Sequence, residues 1–342
     1  MKRALKILLL TVVLMTLLFG CGNKQNPTTT PEPNSTEQTQ GEKQEDQTEV
    51  AAFPRTVTDG MGNEVVIKEQ PKRVAVAFFR AAEHWYGLDM PPVGFALADD
   101  SLNNWAAYIP YTDVAEVVDI GHPFNIELML DVEPDLIIAV NPLHDKVYED
   151  LKKIAPVAYY DQTAVVSDWK NTMREFAKLV GKEQVAEDRI KKIEQQIADA
   201  RKELSDYNGG TVAFLGMTDK NTFYAFNTQN LFAYYNKETG LGLPAPQGYP
   251  DGSEGGHSKQ FSLEGLTELD PDHIFFQTFR EGGVVTADFQ MMLDELEKDA
   301  VWNTLKAVKN GNVHLIDRSA FNGGPLSIEY GVDAVVDYLS NK

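Results

Sequence analysis

Short apolar runs alternate along this chain with segments whose apolar residues recur at helical spacing. An apolar run bounded by turn residues is typical of a buried strand, and the intervening spacing is typical of helices packed on a sheet. A hairpin is predicted over 55–67, with its turn at 59–63. Further strands are predicted at 74–78, 93–96, 116–120, 136–140, 157–160, 212–215, 274–277 and 313–316. This order predicts an α/β fold with mostly parallel sheets.

The longest helical pattern starts at the cap Ser167-Asp168-Trp169 and continues to about Tyr207, with Gly181 as its one interruption. The part from 182 to 204 is rich in Glu, Lys, Gln and Ala, and its isoleucines are spaced for one helix face. Twenty-three helical residues span about 35 Å. We therefore predict a backbone helix that joins two Rossmann-like lobes. Shorter helices are predicted at 83–88, 144–154 and 289–297, around Leu231, and from Ile328.

One pattern occurs twice in the chain. Asn125-Ile126-Glu127 and Ser262-Leu263-Glu264 each place an acid two positions after a helix-capping residue, and Pro-Asp and an apolar strand follow seven positions later. This repeat predicts two similar lobes that display Glu127 and Glu264 as an equivalent pair. The alternative is that an acid is simply favourable at a helix start, by roughly 0.3–1 kcal/mol.

The amino terminus has the pattern of an export signal over residues 1–20. Lys2, Arg3 and Lys6 precede thirteen mostly apolar residues, fewer than the ~20 that a membrane-spanning helix needs. Leu18-Phe19-Gly20-Cys21 resembles a bacterial lipobox, in which the cysteine carries diacylglycerol. Because Cys21 is the only cysteine of 342 residues, disulfide, zinc-thiolate and thiol-catalysis chemistry are excluded, and lipidation is its predicted role.

The next segment, 21–52, has the composition of a disordered tether, since Thr, Gln, Glu, Pro and Asn dominate it. The predicted lobes follow at 53–181 and 207–342, on either side of the helix at 182–206. The whole chain has a net charge of −20. Residues 1–20 contribute three of its basic residues and no acid, so the chain without them carries −23. This acidity argues against nucleic acid and against anionic lipid headgroups as partners.

Ligands of α/β sheets bind at loops beyond the carboxyl ends of the strands, and two lobes bring such loops to one cleft. The candidate ligand-binding residues share aromatic, guanidinium or amide chemistry, and they are Phe79, Arg80, Trp105, Tyr108, Tyr224, Arg280, Arg318 and Asn322. Aromatic rings with arginines suit a bulky, partly apolar anion. In so acidic a protein, surface or interlobe ion pairs are the alternative role for each arginine.

The six histidines show no pair at metal-ligand spacing, so we predict no direct metal site and expect any iron to arrive inside a chelator. Haem stays an alternative, with His122, Tyr224 or Met217 as axial ligand. No Gly-x-Ser-x-Gly elbow occurs, which argues against a hydrolase. A tethered extracytoplasmic enzyme and a ligand-sensing adaptor are the competing functional classes.

Taken together, these segments resemble the class III, helical-backbone substrate-binding lipoproteins of ABC importers. The resemblance runs from Thr56 to the C-terminus, and its order and spacing are what make it specific. The segments on which the resemblance rests are Gly62-Asn63-Glu64-Val65 before Gln70-Pro71-Lys72-Arg73-Val74, Val118-Asp119-Ile120-Gly121 before Asn125, Glu133-Pro134-Asp135, the long helix and Gly311-Asn312-Val313-His314.

The resemblance implies a lipid-anchored, non-enzymatic monomer on the extracytoplasmic face of a bacterial membrane, with no cofactor besides the lipid. Its partners would be an ABC permease dimer with its ATPase. Glu127 and Glu264 would each pair with arginines of one permease subunit. The family carries ferric siderophores, haem or cobalamin. We favour a ferric hydroxamate or citrate-hydroxamate, then a catecholate, ferric citrate, haem and cobalamin.

Overall fold

Two five-stranded sheets form the framework of the protein. The computed structural model describes residues 53–97, 104–111, 116–281 and 284–340. Cys21, the predicted signal peptide and the predicted tether lie outside these ranges. Within them, no helix combines the length and apolar character needed to cross a membrane.

The N-terminal sheet is entirely parallel and has the strand order β5-β4-β3-β6-β7. It follows the predicted hairpin, which is formed by β1 (Arg55–Thr58) and β2 (Glu64–Ile67). The sheet strands are β3 (Val74–Val76), β4 (Gly94–Phe95), β5 (Val118–Asp119), β6 (Leu136–Asn141) and β7 (Val157–Asp161). The interior strand β6 is buried over its first five residues, as its continuous apolar run predicts.

Short helices cover the N-terminal sheet. They are α1 (Ala82–Gly87), α2 (Ile126–Asp131), α3 (Tyr148–Leu151), α4 (Gln162–Ser167) and α5 (Trp169–Val180). The predicted helix over 144–154 is shorter than expected. His144 is buried and its ring nitrogen Nδ1 accepts from the Val140 amide at 2.9 Å, so this residue closes a turn after β6 and the helix begins later.

The long helical pattern forms two helices, as Gly181 predicts. Gly181 ends α5 in the left-handed conformation (φ 69°), and α6 then runs over Glu183–Glu203. The 21 residues of α6 correspond to about 31 Å. Its apolar face buries Ile190, Ile193 and Ile197. This helix connects the N-terminal sheet to the C-terminal one and confirms the predicted joining of two lobes by a long helix.

The C-terminal sheet is mixed, with the strand order β10-β9-β8-β11-β14. Its strands are β8 (Val212–Asp219), β9 (Thr222–Phe226), β10 (Ser258–Ser262), β11 (His273–Thr278) and β14 (Val313–Asp317). β8, β11 and β14 are parallel, and β9 and β10 are antiparallel additions that the sequence pattern did not reveal. Most β10 side chains are exposed, so this edge strand lacks the apolar alternation that predicts strands.

The remaining elements surround this sheet. They are α7 (Phe232–Tyr235), α8 (Leu263–Leu269), a small separate hairpin of β12 (Arg280–Glu281) and β13 (Val284–Val285), α9 (Ala287–Leu296), α10 (Lys306–Lys309) and α11 (Pro325–Ser340). Helix α11 packs against both α6 and α1, so it contacts the connecting helix and the N-terminal lobe together. All the described residues belong to one compact unit, Thr48–Lys342.

We expect the folded protein to lose stability in acid, because two of its buried histidines resist protonation. Burial lowers the pKa of His84 and that of His144 to about 4, from an ordinary value of 6.5. Since the unfolded chain binds protons more readily between pH 6.5 and 4, the stability that these groups contribute is present above pH 6.5 and is lost as the pH falls through this window. The loss at pH 5 is about 2 kcal/mol per histidine.

This sensitivity is measured by urea unfolding at pH 7 and pH 5. The variant His144→Asn keeps an acceptor for the Val140 amide and removes the titrating ring. We expect it to lose about 2 kcal/mol less than the wild-type protein between these pH values. An equal loss in both proteins would contradict the assignment.

Candidate functional site

Two adjoining pockets lie where the carboxyl ends of the strands of both sheets meet. The first, of 390 Å³, is called here the Arg80 pocket. The second, of 650 Å³, is called the Arg280 pocket. Trp105, Tyr224, Phe279 and Arg318 line both pockets. Seven of the eight predicted ligand-binding residues therefore come together in one cleft. These seven are Phe79, Arg80, Trp105, Tyr224, Arg280, Arg318 and Asn322.

The eighth predicted residue, Tyr108, does not line either pocket. Its side chain is 0% exposed and packs in an aromatic cluster with Tyr86, Phe95 and Trp105. Burial raises the pKa of its hydroxyl well above the ordinary value. The prediction that Tyr108 lies in the cleft is wrong, because its ring packs into its own lobe against Trp105.

Arg80 follows β3 and is held by residues of the other lobe. Its Nε donates to the side-chain oxygen of Asn322 at 2.7 Å, and Nη2 donates to the carbonyl of Phe321 at 3.4 Å. Burial lowers the pKa of Arg80 to about 10, and the nearby Glu83 opposes this effect. The guanidinium is thus cationic at neutral pH while it is partly withdrawn from water.

Arg318 follows β14 and lies between two aromatic rings. Its Cζ is 5.1 Å from the centroid of the Trp105 ring and 4.6 Å from that of Phe279. Because Trp105 belongs to the N-terminal lobe and Phe279 to the C-terminal lobe, this cation-π contact joins the two walls of the cleft. Phe79 continues the aromatic row, with its ring centroid 5.9 Å from that of Trp105.

Arg280 lies at the start of the β12–β13 hairpin, beside a buried acid. Its Nε is 3.7 Å from Oδ2 of Asp317. The other carboxylate oxygen of Asp317 accepts from the backbone amide of Ala106 at 3.0 Å. The neighbouring amide of Ala107 donates to the Ser319 hydroxyl at 3.1 Å. Asp317 and Ser319 therefore hold the segment that carries Trp105 against the C-terminal lobe.

Tyr224 reaches the cleft from β9, one of the strands that the sequence pattern missed. It pairs with Gly216 on β8, and a Cβ at Gly216 would lie 2.4 Å from the Tyr224 ring. The glycine therefore lets the ring lie across its neighbouring strand. Burial raises the pKa of Tyr224, and Arg318 opposes this effect.

The alternative haem ligands are spread over the cleft. Met217 and Tyr224 line the Arg280 pocket, and His122 contacts Phe79 with ring centroids 5.2 Å apart. Within the described parts of the chain, no group of three or more His, Cys, Asp or Glu residues could hold a metal ion. The chemistry of the cleft is that of aromatic faces and guanidinium groups around a sizeable guest.

Sequence reasoning missed several residues of the cleft. His257 and Gln277 line the Arg80 pocket, while Glu83 and Asp317 lie behind the arginines. One signal was present for Glu83, which is a single acid in the otherwise apolar and aromatic run Ala81-Ala82-Glu83-His84-Trp85-Tyr86. An acid on the buried face of a helix requires a hydrogen-bond or ion-pair partner. The sequence pattern therefore predicts that a partner exists but does not identify it.

The two repeated glutamates occupy equivalent positions. Each is exposed and is the second residue of a short helix, Glu127 in α2 and Glu264 in α8. The caps are those the repeat predicts, since Asn125 accepts from the Glu127 amide at 2.8 Å and Ser262 from the Gly265 amide at 3.1 Å. Over the described residues, neither carboxylate forms an ion pair.

Comparison with known proteins places this architecture among binding proteins. The sequence profile described as "Periplasmic binding protein" matches residues 74–320. YhfQ of Bacillus subtilis, a proposed ABC transporter substrate-binding lipoprotein, is 32% identical over 81% of this chain and 84% of its own length. The iron(3+)-hydroxamate-binding protein YxeB of the same organism is 28% identical over 83% of this chain and 85% of its own length.

A solved structure shares the fold. The triscatecholate siderophore binding protein FeuA of Bacillus subtilis, complexed with ferri-bacillibactin, superposes with a TM-score of 0.67. It is 25% identical, and the match covers 84% of this chain and 99% of FeuA. The two-lobed arrangement predicted from the sequence is thus also that of a known siderophore-binding protein.

Proposed function

This chain belongs to the periplasmic binding protein family, and from that membership we propose that it captures a ferric siderophore and delivers it to an ABC importer. The observation that most supports this proposal is the composition of the cleft. Arg80, Arg280 and Arg318 converge there among aromatic rings contributed by both lobes. Such a lining suits a bulky chelate with negative or strongly polar oxygens and apolar connecting arms.

A hydroxamate or citrate-hydroxamate siderophore is the ligand class that we favour. YxeB, a relative over most of the chain, is named for a ferric hydroxamate. The arginines supply donors for hydroxamate or carboxylate oxygens, and Trp105 and Phe279 supply faces for the arms. Catecholate, ferric citrate, haem and cobalamin are the alternatives, and a tethered enzyme is the alternative outside transport.

Delivery requires contact with the permease, and Glu127 and Glu264 are our candidates for that contact. Both are exposed at matching positions of the two lobes. Two acids on a stiff body let a partner recognise orientation through two charge pairs at once, although each exposed pair contributes only about 0–1 kcal/mol. A lipid on Cys21 would keep the protein at the extracytoplasmic face of the membrane, beside the permease.

The function is tested by fluorescence titration of the protein without residues 1–52. The panel contains ferric hydroxamate, ferric citrate-hydroxamate, ferric catecholate, ferric citrate, haem and cobalamin. Trp105 lines the cleft, whereas Trp85, Trp169 and Trp302 are buried elsewhere. We expect saturable quenching by a ferric hydroxamate or citrate-hydroxamate, with a smaller amplitude in Trp105→Phe.

The outcomes separate the alternatives. Saturation by haem or cobalamin alone would replace the ligand class and keep the transport role. Failure of all six to bind would overturn the proposed function. Metal-free chelators serve as the control. A site that recognises the shape of the ferric complex should bind the metal-free chelator more weakly, because without iron the chelator does not hold that shape.

A further inference from the structure

Glu83 is a buried acid that receives all its described hydrogen bonds from the opposite lobe. It belongs to α1 of the N-terminal lobe and is 0% exposed. Its carboxylate accepts from the backbone amide of Ser327 at 2.8 Å, from the Ser327 hydroxyl at 2.7 Å and from the side-chain amide of Asn322. Ser327 lies in the first turn of α11, where unsatisfied amides and the helix dipole favour a negative charge.

The chain of the C-terminal lobe approaches this carboxylate closely at Gly324. A Cβ at that position would lie 2.5 Å from Oε2 of Glu83. Any larger residue would displace the carboxylate, so glycine is required for the contact. The sequence Asn322-Gly323-Gly324-Pro325 therefore fits around the acid of the other lobe.

Asn322 connects Glu83 to the ligand cleft. Its Nδ2 donates to Glu83, and its Oδ1 accepts from Nε of Arg80 at 2.7 Å. A carboxylate only accepts hydrogen bonds and a guanidinium only donates them. One orientation of the amide satisfies both neighbours, and the reversed orientation would create two repulsive contacts. Glu83 thus determines which face of Asn322 meets Arg80.

Arg80 has five N–H donors, and the contacts with Asn322 and Phe321 use two of them. Over the described residues the other donors meet no hydrogen-bond acceptor, so they remain for a guest in the pocket that Arg80 lines. An arginine side chain loses considerable conformational freedom when a ligand fixes it. Here contacts within the protein hold the side chain, which is the usual structural basis of preorganised recognition.

We propose that Glu83 and Asn322 are positioning residues which hold the Arg80 guanidinium in place for the ligand, so that affinity depends on a contact between the lobes. The inference rests on the proposed function. The alternative is that Glu83 only joins the lobes and has no particular effect on Arg80. The two cases differ in whether the effects of Glu83 and Arg80 on binding are coupled.

A double-mutant cycle tests this proposal. Affinities for ferrichrome, a neutral ferric hydroxamate, and for ferric aerobactin, an anionic citrate-hydroxamate, are measured for the wild-type protein, Glu83→Gln, Arg80→Ala and their combination. We expect Glu83→Gln to weaken binding roughly ten-fold and Arg80→Ala roughly a hundred-fold. The combined variant should bind within about two-fold of Arg80→Ala, because Glu83 acts through Arg80.

Stability provides the second measurement. Glu83→Gln also removes hydrogen bonds between the lobes, and this loss does not depend on Arg80. We therefore expect Glu83→Gln to lower the midpoint of thermal unfolding by the same amount in the wild-type protein and in Arg80→Ala. Asn322→Ala, which leaves the Ser327 contacts of Glu83 in place, repeats the cycle should Glu83→Gln fold poorly. Asp59→Asn is the matched control. Asp59 is also a buried acid, but it accepts from amides of its own lobe, at 2.8 Å from Asn63 and 2.9 Å from Tyr159.

The results separate the inference from the function. If the effects of Glu83→Gln and Arg80→Ala multiply, or if Glu83→Gln and Asn322→Ala leave affinity unchanged, the positioning role is overturned while the proposed function stands. If Asp59→Asn weakens binding as much as Glu83→Gln does, the effect is one of general destabilisation and the inference fails. If the wild-type protein binds neither chelate, the proposed ligand class falls and the inference falls with it.

Discussion

Replacing both Glu127 and Glu264 by glutamine is expected to reduce uptake of the ferric chelate roughly ten-fold or more while the affinity of the protein for that chelate stays the same. Both carboxylates are exposed and both occupy the second position of a short helix. Their removal costs the fold only about 0.3–1 kcal/mol each, the value of an acid at a helix start. The effect on transport would come from lost orientation on the permease.

The measurement is uptake of ⁵⁵Fe-labelled chelate in cells whose only copy of the protein carries the change, with affinity measured on the purified protein. Each single variant should show an intermediate rate. Glu149→Gln with Glu268→Gln is the matched control, since it removes two exposed acids of α3 and α8 without touching the repeated positions. Undiminished uptake by the Glu127 and Glu264 double variant would refute the docking role.

Arg318→Ala should weaken ligand binding by about 100-fold, since it removes a charge held between aromatic rings of both lobes. The residue lines both pockets, so its loss affects a guest in either one. Arg318→Lys keeps the charge and loses the planar stacking, and an intermediate affinity is expected. Titration of Trp105 fluorescence measures all three proteins.

The matched control for this substitution is Arg174→Ala. Arg174 is a half-buried arginine of α5, outside the cleft, whose Nε pairs with Glu187 at 2.6 Å. Its removal subtracts the same charge from the protein without changing the cleft. An Arg318→Ala protein that binds as tightly as Arg174→Ala would show that the stacked arginine does not contact the ligand.

Much of the framework could be predicted because its signals are local. The apolar runs of β6 and β11 belong to strands that are buried on both faces. The repeated cap and acid predicted the starts of α2 and α8 to the residue. Gly181 predicted the break in the long helical pattern, since glycine tolerates the left-handed conformation found there.

The elements that were missed lack such local signals. Strand β10 is an exposed edge strand, and it is ordered by pairing with β9 through backbone hydrogen bonds rather than by burial of its side chains. The helix predicted from 144 begins later because the buried ring of His144 forms a hydrogen bond with the backbone of β6. Both outcomes depend on contacts that the spacing of apolar residues does not encode.

The residues of the candidate site likewise fall into those that the sequence could predict and those that it could not. The argument from loops beyond the strand ends selected seven residues of the cleft, because topology brings such loops together, although Tyr224 reaches the cleft from within β9 rather than from a loop. Tyr108 was assigned to the cleft on the same argument, but its ring packs against Tyr86 and Phe95 instead. Glu83 and Asp317 were missed since each acts across the lobes, more than two hundred residues away from its partners Asn322 and Ala106. The docking role of Glu127 and Glu264 stays a prediction.

The hairpin of β12 and β13 stands apart from both large sheets, and its two strands pair with each other. It carries Arg280 into the cleft, and Val284, which pairs with Glu281 across the hairpin, is 70% exposed. Glu281 and Val284 are the exposed positions of this hairpin, and substitutions there would change the rim of the Arg280 pocket without entering the packing of the two sheets. On the proposed function, the choice of chelate could therefore change through a few neighbouring positions, without compensating substitutions in the core.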